Sequence, residues 1–214
     1  MARRPDSDAS IEKIEAAALK LFSAKGYSNT SLEQVANAAG FTKGAVYYYF
    51  KTKETLLLFI IDRIQKRSIM HTAEVISAMK GHAVEKLTAV IRLQAQWASN
   101  CPDDLTLLIL TSLESAGHES KVRAATLHYY AVMENLLTKI ITAGKKAGEL
   151  SPSLDVRSTV LSNIARHDGN MLLWHRSGRD PKVGRLLTAA SLNAVAQFAS
   201  AQANNLAVDT YTEN

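Results

Sequence analysis

The segment Ser31–Lys53 reads SLEQVANAAGFTKGAVYYYFKTK, and its pattern predicts two short helices joined by a tight turn. Either Thr30 or Ser31 can cap the first helix, because each is followed three residues later by the acid or amide that a capping box requires. Gly40 ends this helix, since glycine readily adopts the left-handed conformation found at helix C-termini. Thr42 can cap the second helix. In DNA-binding proteins with this arrangement, the second helix enters the major groove.

The second predicted helix carries residue types suited to a contact with DNA. Lysines flank it, small residues occupy its first turn, and consecutive tyrosines offer hydroxyls to phosphates or flat surfaces to bases. The alternative is an ordinary surface helix pair, but the coincidence of these features in order favours DNA. Lys43, Ala45 and Tyr48 are the candidates for base edges, whereas Lys51 and Lys53 are expected at phosphates. The residues predicted to contact DNA are Thr30, Ser31, Thr42, Lys43, Gly44, Ala45, Tyr47, Tyr48, Lys51 and Lys53.

Residues 11–57 resemble the N-terminal domain of the TetR family of bacterial transcriptional regulators. The resemblance lies in the pattern IEAAALKLFSAKGYSNTSLEQVANAAG followed by FTKGAVYYYFKTKETLL. It implies an all-α protein in which a three-helix helix-turn-helix head, residues 1–52, is joined by a long helix to a larger ligand-binding and dimerisation body, residues 53–214. It also implies a homodimer that represses by binding a palindromic operator and lets go when a small molecule occupies the body.

Composition limits the other possibilities. The chain has 214 residues, of which 47% are hydrophobic and 21% charged, so it is globular rather than disordered. Its net charge of +5 weakly favours a polyanionic partner. The single Cys101 excludes an internal disulfide, and the sequence has neither a long apolar run nor a signal segment, so we expect a cytoplasmic protein without a membrane partner.

The sequence does not suggest an enzyme. No two of the six histidines have the i, i+4 spacing that puts two metal ligands on one helix face. There is no phosphate-binding glycine loop after a strand and no glycine-flanked serine typical of a nucleophile elbow. We therefore predict no catalytic residue, no metal site and no cofactor.

Helical patterns continue through the whole chain. We predict a basic arm at residues 1–8 and a first helix from Ile11 to near Gly26. A long helix capped by Thr52 is expected to run to Gly81. The remaining predicted segments are helices near residues 84–100, 103–116, 119–146, 154–177 and 181–203, followed by a frayed tail at 204–214.

The last two long helices are the predicted dimer surface. Apolar residues recur on one face of each at spacings of three and four, and alanines on the final helix allow close approach. The alternative is that both faces are buried against their own body. In the family that the chain resembles, the corresponding helices form a four-helix bundle with the symmetry mate. The residues predicted for this interface are Leu161, Leu172, Leu187, Ala190, Ala194 and Phe198.

Polar and aromatic residues inside apolar helices are the candidates for an effector site. They are Arg92, Trp97, His128, Tyr129, Met133, Arg166, His167, Asn170 and Trp174. Trp97 and Met133 also suit core filling, Arg92 also suits a solvated face, and one residue of the pair 128–129 should face outward. Gly169 leaves room either for a dimer partner or for a ligand. We expect a small hydrophobic or aromatic effector; the alternative is a body that binds a protein partner.

Overall fold

The computed structural model describes residues 5–117 and 119–199, and within these ranges the chain is almost entirely helical. The predicted all-α class is confirmed. Outside the helices, an isolated antiparallel bridge pairs Leu150 with Ala199. A π-helical turn, Lys66–Met70, follows the fourth helix directly. The helices are α1 (Pro5–Lys25), α2 (Leu32–Ala39), α3 (Lys43–Tyr49), α4 (Lys53–Gln65), α5 (His71–Ala78), α6 (Ala83–Asn100), α7 (Pro102–Glu114), α8 (Lys121–Lys146), α9 (Val156–Arg176) and α10 (Pro181–Ala196).

The chain packs into two compact units. The first contains the helix-turn-helix head together with α7 and the start of α8, within residues 1–66 and 101–128. Its core is closed by apolar side chains of α1, α2 and α3, of which Ile14, Phe22 and Val46 have no exposed surface. Helix α1 packs against α2, α4 and α7. The Ser23 hydroxyl donates to the Asp103 carbonyl at 3.0 Å, which ties α1 to the start of α7.

The second unit contains α5, α6, α9, α10 and most of α8, within residues 67–100 and 129–214. Helix α6 packs against both α5 and α10, and α10 packs against α9. Gly144 of α8 allows a close approach at one end of the unit, because a Cβ there would lie 2.4 Å from the Cβ of Ala83. The functional boundary predicted at residue 52 stays a prediction, since the compact units follow a different division of the chain.

Three predicted helix boundaries are wrong. Residues 5–8 belong to α1 rather than to an arm, because proline fits the first turn, where its missing N–H would have no partner. The long helix from Thr52 does not reach Gly81, since it is interrupted by the π-helical turn and resumes as α5, which ends at Ala78. Helix α10 ends at Ala196, where the chain turns to pair with the segment after α8. Residues 200–214, including the predicted tail, lie outside the described residues.

None of the helices in residues 5–117 and 119–199 combines the length and the apolar character needed to cross a membrane. Within the same ranges, no group of three or more His, Cys, Asp or Glu side chains is arranged to hold a metal ion.

Candidate nucleic-acid interface and effector site

The start of α2 is fixed by the capping box that the sequence predicts. The Ser31 hydroxyl accepts a hydrogen bond from the Gln34 N–H at 3.2 Å, and the Gln34 side chain accepts one from the Ser31 N–H at 2.8 Å. Thr30 is not the cap. It is only 2% exposed, and its hydroxyl donates to the Gly26 carbonyl at 2.9 Å. Thr30 therefore closes the preceding turn, and its side chain is not part of the exposed surface.

The turn between α2 and α3 depends on Gly40. Its φ of 75° lies in the left-handed region, which a residue with a Cβ rarely adopts. The Phe41 N–H then reaches back to the Ala36 carbonyl at 2.9 Å, and the chain turns sharply into α3. Thr42 caps α3 by accepting from the Ala45 N–H at 3.2 Å. These local contacts set the angle at which α3 leaves the turn.

Helix α3 turns one face to solvent and the other to the core. Val46 is fully buried, whereas Tyr48 is 75% exposed and Tyr47 is 40% exposed. Lys43 is exposed and forms an ion pair with Glu33 of α2 at 3.4 Å, a contact that water screens strongly. The structure thus places on one exposed face the residues predicted for base and phosphate contacts: Thr42, Lys43, Gly44, Tyr47 and Tyr48 are exposed, and Ala45 is partly buried.

An open groove of about 640 Å³ runs between the starts of α2 and α4. The two N-terminal helix ends carry partial positive charge, which favours an anion. Lys53 lies in this groove, where its Nζ donates to the Tyr27 carbonyl at 2.7 Å and lies 4.3 Å from the centre of the Tyr27 ring. The groove is lined by Ser28, Asn29, Thr30, Ser31, Leu32, Gln34, Tyr47, Lys51, Thr52 and Lys53.

Five groove residues were not predicted as site residues: Ser28, Asn29, Leu32, Gln34 and Thr52. Leu32 is only 6% exposed, because its apolar side chain packs in the core of the head. Ser28, Asn29 and Gln34 carry no signal of their own, because small polar residues are common in any turn. Thr52 was predicted as the cap of α4, and its hydroxyl does accept from the Thr55 N–H at 3.0 Å. Its place beside Lys51 and Lys53 in a groove follows only from the packing of α4 beside α2.

The candidate effector residues on α6 and α8 divide by exposure. Trp97, Tyr129 and Met133 are buried in the second unit, with exposed fractions of 7%, 4% and 2%. Arg92 and His128 are exposed, so neither side chain faces the interior of its unit. The solvated-face alternative therefore describes Arg92, and Tyr129 is the inward member of its pair.

A polar network that the sequence analysis missed joins α5, α6 and α8. The Gln94 side chain donates to the Thr72 hydroxyl at 2.8 Å, and the Tyr129 hydroxyl donates to Gln94 Oε1 at 3.2 Å. Burial raises the pKa of Tyr129 well above its ordinary value, so the phenol stays protonated. The available signal was one polar residue among the apolar residues of each helix: Thr72 in α5, Gln94 in α6 and Tyr129 in α8. This signal does not reveal which of these side chains bond to one another.

The candidates on α9 have internal partners. Asn170 donates to the Ser191 hydroxyl at 2.8 Å, and the Trp174 indole N–H donates to the Asp180 carbonyl at 3.1 Å, so both join α9 to the start or middle of α10. Arg166 donates to Asn163 one turn earlier at 3.4 Å. Burial lowers the pKa of His167 to about 4, which keeps the ring neutral at neutral pH.

The surroundings of Asp168, the residue after His167, also change the pKa of its side chain. Burial raises the pKa of its carboxyl to about 6, and a hydrogen bond with Tyr130 opposes that change. The neighbouring Gly169 is exposed, and a Cβ added there would meet nothing within 4 Å. Packing within the described residues of this chain therefore does not require glycine at this position.

The helices α9 and α10 expose apolar surface. Leu161 is 46% exposed and Leu173 is 53% exposed on α9, and Leu186 of α10 is 71% exposed. Val195 is fully buried, so part of the apolar face of α10 packs inside its own unit, as the alternative interpretation held. Of the predicted interface residues, Leu161 and Ala190 are exposed, and the partly exposed ones are Leu172, Leu187, Ala194 and Phe198.

Comparison with known proteins places both units among transcriptional regulators. Residues 14–60 match the family model described as bacterial regulatory proteins, tetR family. The fatty acid metabolism regulator protein of Bacillus subtilis (strain 168) is 31% identical over 158 residues, covering 74% of this chain and 79% of that relative.

Solved structures agree over most of the chain. The MbdR regulator from Azoarcus sp. CIB is 28% identical, with a TM-score of 0.77 over 87% of this chain and 96% of that chain. The transcriptional regulator FadR from Bacillus subtilis, solved in complex with stearoyl-CoA, is 26% identical, with a TM-score of 0.72 over 86% of this chain and 96% of that chain. The likeness therefore extends from the head through the body.

The position of Lys53 predicts a general contact with the DNA backbone. Lys53→Ala should weaken binding to all operator sequences by a similar factor and reduce the slope of log affinity against log salt by about one, because one phosphate contact is lost. Fluorescence anisotropy of labelled duplexes over a salt series measures both quantities. Lys139→Ala, an exposed lysine of α8, is the matched control and should change neither. A loss that differs strongly between sequences would contradict the phosphate assignment.

The exposed position of Lys43 at the start of α3 predicts a contact with a base. Lys43→Ala should change the ranking of single-base operator variants, with a discrimination of about 1–3 kcal/mol lost at one base pair. Competition binding against a set of altered operators measures this ranking. As a control, Glu33→Gln removes the acid 3.4 Å from Lys43 and should strengthen binding to every sequence without reordering them. An unchanged ranking in Lys43→Ala means that Lys43 does not read a base.

Proposed function

Because the chain belongs to the TetR family of bacterial transcriptional regulators, we propose that it is a homodimeric repressor that releases a palindromic operator when a hydrophobic effector binds its body. The observation that carries the proposal is the exposed face of α3 beside the groove at the starts of α2 and α4. Lysines and helix N-termini in the groove suit phosphates, and the exposed side chains of α3 suit the edges of bases. In this proposal, the body of the chain binds the effector, as in other members of the family.

A dimer is needed for selective binding of a palindrome. Two recognition helices must be about 34–36 Å apart, one turn of DNA, and a two-fold axis supplies this arrangement. The surface of α9 and α10 suits the interface, since Leu161, Leu173 and Leu186 are exposed there. The exposed backbone at Gly169 would let a partner helix approach closely.

For the effector, we propose an acyl thioester. This class is supported by the Bacillus subtilis relative named as a regulator of fatty acid metabolism and by the Bacillus subtilis FadR structure solved with stearoyl-CoA. The interior of the second unit is apolar along α8, where Met133, Leu137 and Ile141 are buried at spacings of four residues. Such a wall suits an acyl chain, and a few buried polar groups would orient its head.

Release of DNA requires the effector to prefer one of two conformations of the protein. The ligand shifts their equilibrium only by its difference in affinity for them. We propose that α4 carries this change to the head, because it directly precedes the π-helical turn. At the end of α4 the Gln65 side chain donates to the Ala125 carbonyl of α8 at 2.6 Å, so a shift of α8 at that point would move α4.

The proposal is tested by binding to the DNA upstream of the protein's own gene. We expect tight, sequence-selective binding in fluorescence anisotropy across a salt series, and release when stearoyl-CoA is added at fixed salt. Coenzyme A without an acyl chain is the control and should not release the DNA. Selective binding with no response to acyl thioesters of any length would exclude this effector class and favour a body that binds a protein partner. Weak, unselective binding would contradict the repressor itself.

The dimer surface makes a separate prediction. Leu161→Glu should convert the protein to a monomer and weaken operator binding by at least a factor of ten, because each head would then bind a half-site alone. Light scattering after size-exclusion chromatography gives the mass, and anisotropy gives the affinity. Leu113→Glu is the control, since Leu113 is 67% exposed on α7 and should tolerate the charge. A Leu161→Glu protein that remains a dimer would place the interface elsewhere.

A further inference from the structure

The polar network of the second unit leaves two buried donors unused. Ser68 Oγ and Trp97 Nε1 are inaccessible to solvent and have no hydrogen-bond partner among the described residues. Ser68 is 1% exposed and Trp97 is 7% exposed. Nearly all buried polar groups in native proteins are hydrogen-bonded, because an unpaired one loses its bonds to water without compensation. Two such groups in one region therefore require an explanation.

Both donors adjoin the same hydrogen-bonded network. Ser68 lies beside the Tyr129 phenol, and this contact lowers the pKa of Tyr129 against the larger effect of burial. Tyr129 in turn bonds to Gln94. Trp97 follows Gln94 by three residues on the buried face of α6, and side chains at this spacing are neighbours on a helix.

The backbone around Ser68 is also unusual. Ser68 is the middle residue of the π-helical turn Lys66–Met70. Such turns are rare and often occur at functional sites, because the wider turn shifts the side chains out of the regular helical register. Here, the next polar residue on the same side, Thr72, has a partner in Gln94, whereas Ser68 has none. The π-helical turn thus directs the Ser68 hydroxyl to the interior, where no described residue forms a hydrogen bond with it.

The chemistry of the cluster selects the group that it can bind. The Trp97 indole N–H can only donate, and the Ser68 hydroxyl can also donate, so together they suit an acceptor oxygen. Neither a lysine nor an arginine belongs to the hydrogen-bonded network of Thr72, Gln94 and Tyr129. The negative charge of Asp168 acts on the Tyr129 phenol and would also repel an anion there. An uncharged carbonyl oxygen meets these conditions, and a carboxylate does not.

We propose that Ser68 and Trp97 hold the carbonyl oxygen of an acyl effector, with its hydrocarbon chain along the buried face of α8. This inference rests on the proposed function, since it names the atoms that would recognise the acyl group. Met133 and Leu136 follow Tyr129 at spacings of four and seven residues, and both are buried, so an apolar wall begins where the polar cluster ends. The carbonyl would complete the hydrogen bonds that the protein leaves unmade.

The test compares two ligands that differ only at this oxygen. Stearoyl-CoA has the carbonyl, whereas S-octadecyl coenzyme A replaces it with a methylene group. Both would be used below their micellar concentrations, with dissociation constants from calorimetry and operator release from anisotropy. The wild-type protein should bind the thioester at least tenfold more tightly. Ser68→Ala and Trp97→Phe should each reduce this ratio, and the double variant should bring it close to one by weakening only the thioester.

A matched control removes another buried hydroxyl. Thr111 Oγ1 likewise has no hydrogen-bond partner in the part of the chain that the structure describes, but it belongs to the first unit. Thr111→Val should leave the ratio of the two ligands unchanged. Thermal melting checks the fold: Ser68→Ala should be at least as stable as the wild type without ligand, because it removes a buried unpaired donor, whereas Trp97→Phe should still unfold in one cooperative transition, at a lower temperature because the smaller ring leaves a cavity.

The outcomes separate this inference from the proposed function. If the wild type prefers the thioester and the double variant retains that preference, the cluster does not bind the carbonyl, while the acyl-responsive repressor stands. The same result is expected if a buried water satisfies both donors in every state. If the wild type responds to neither ligand, the acyl effector is wrong and the inference fails with it.

Discussion

Helix α3 has only seven residues, and a helix of that length is not stable in water on its own. Its position depends on burying Val46 in the core that α1 and α2 close. The same constraint applies to α2, which has eight residues and packs between α1 and α3. The exposed face of α3 is therefore as rigid as this small core, and the caps at Ser31 and Thr42 fix where each helix begins. A surface that reads DNA needs this rigidity, because base contacts depend on the position of a few side chains.

The head is held at two further places. Arg63 of α4 forms an ion pair with Glu15 of α1 at 2.9 Å, and the Glu15 side chain is mostly buried. A partly buried pair of this kind is costly to break, because the remaining charge would have no partner. Ser23 joins α1 to α7. Movements of α4 or α7 would thus displace the head as a body rather than distort α3, which is the behaviour that a regulator requires.

In the second unit the physical problem is different, because polar groups have been placed where water does not reach. The bonds from Gln94 to Thr72 and from Tyr129 to Gln94 satisfy most of them and fix α5, α6 and α8 in register. Ser68 Oγ and Trp97 Nε1 have no hydrogen-bond partner within residues 5–117 and 119–199. A protein that binds a largely apolar molecule still needs a few polar groups to orient that molecule. Unpaired polar groups could therefore serve a ligand-binding protein, whereas in a purely structural core they would only cost stability.

The sequence by itself determined the helix-turn-helix, since caps and glycine turns depend on residues within about four positions of one another. Ser31 with Gln34, Gly40 and Thr42 could all be recognised in this way, and so could the all-α class. The choice between Thr30 and Ser31 as the cap belonged to tertiary structure, because burial of Thr30 in the head removed it from the surface.

Tertiary structure also decided which segments far apart in the sequence contact each other. Helix α10 stops at Ala196 because the chain there pairs with Leu150, and the contact between Gln94 and Tyr129 joins residues 35 positions apart. No local pattern reports such pairings, since each depends on how whole helices pack. The sequence therefore determined where the helices of the head begin and turn, whereas packing decided which polar side chains face the interior and which of them are left without a partner.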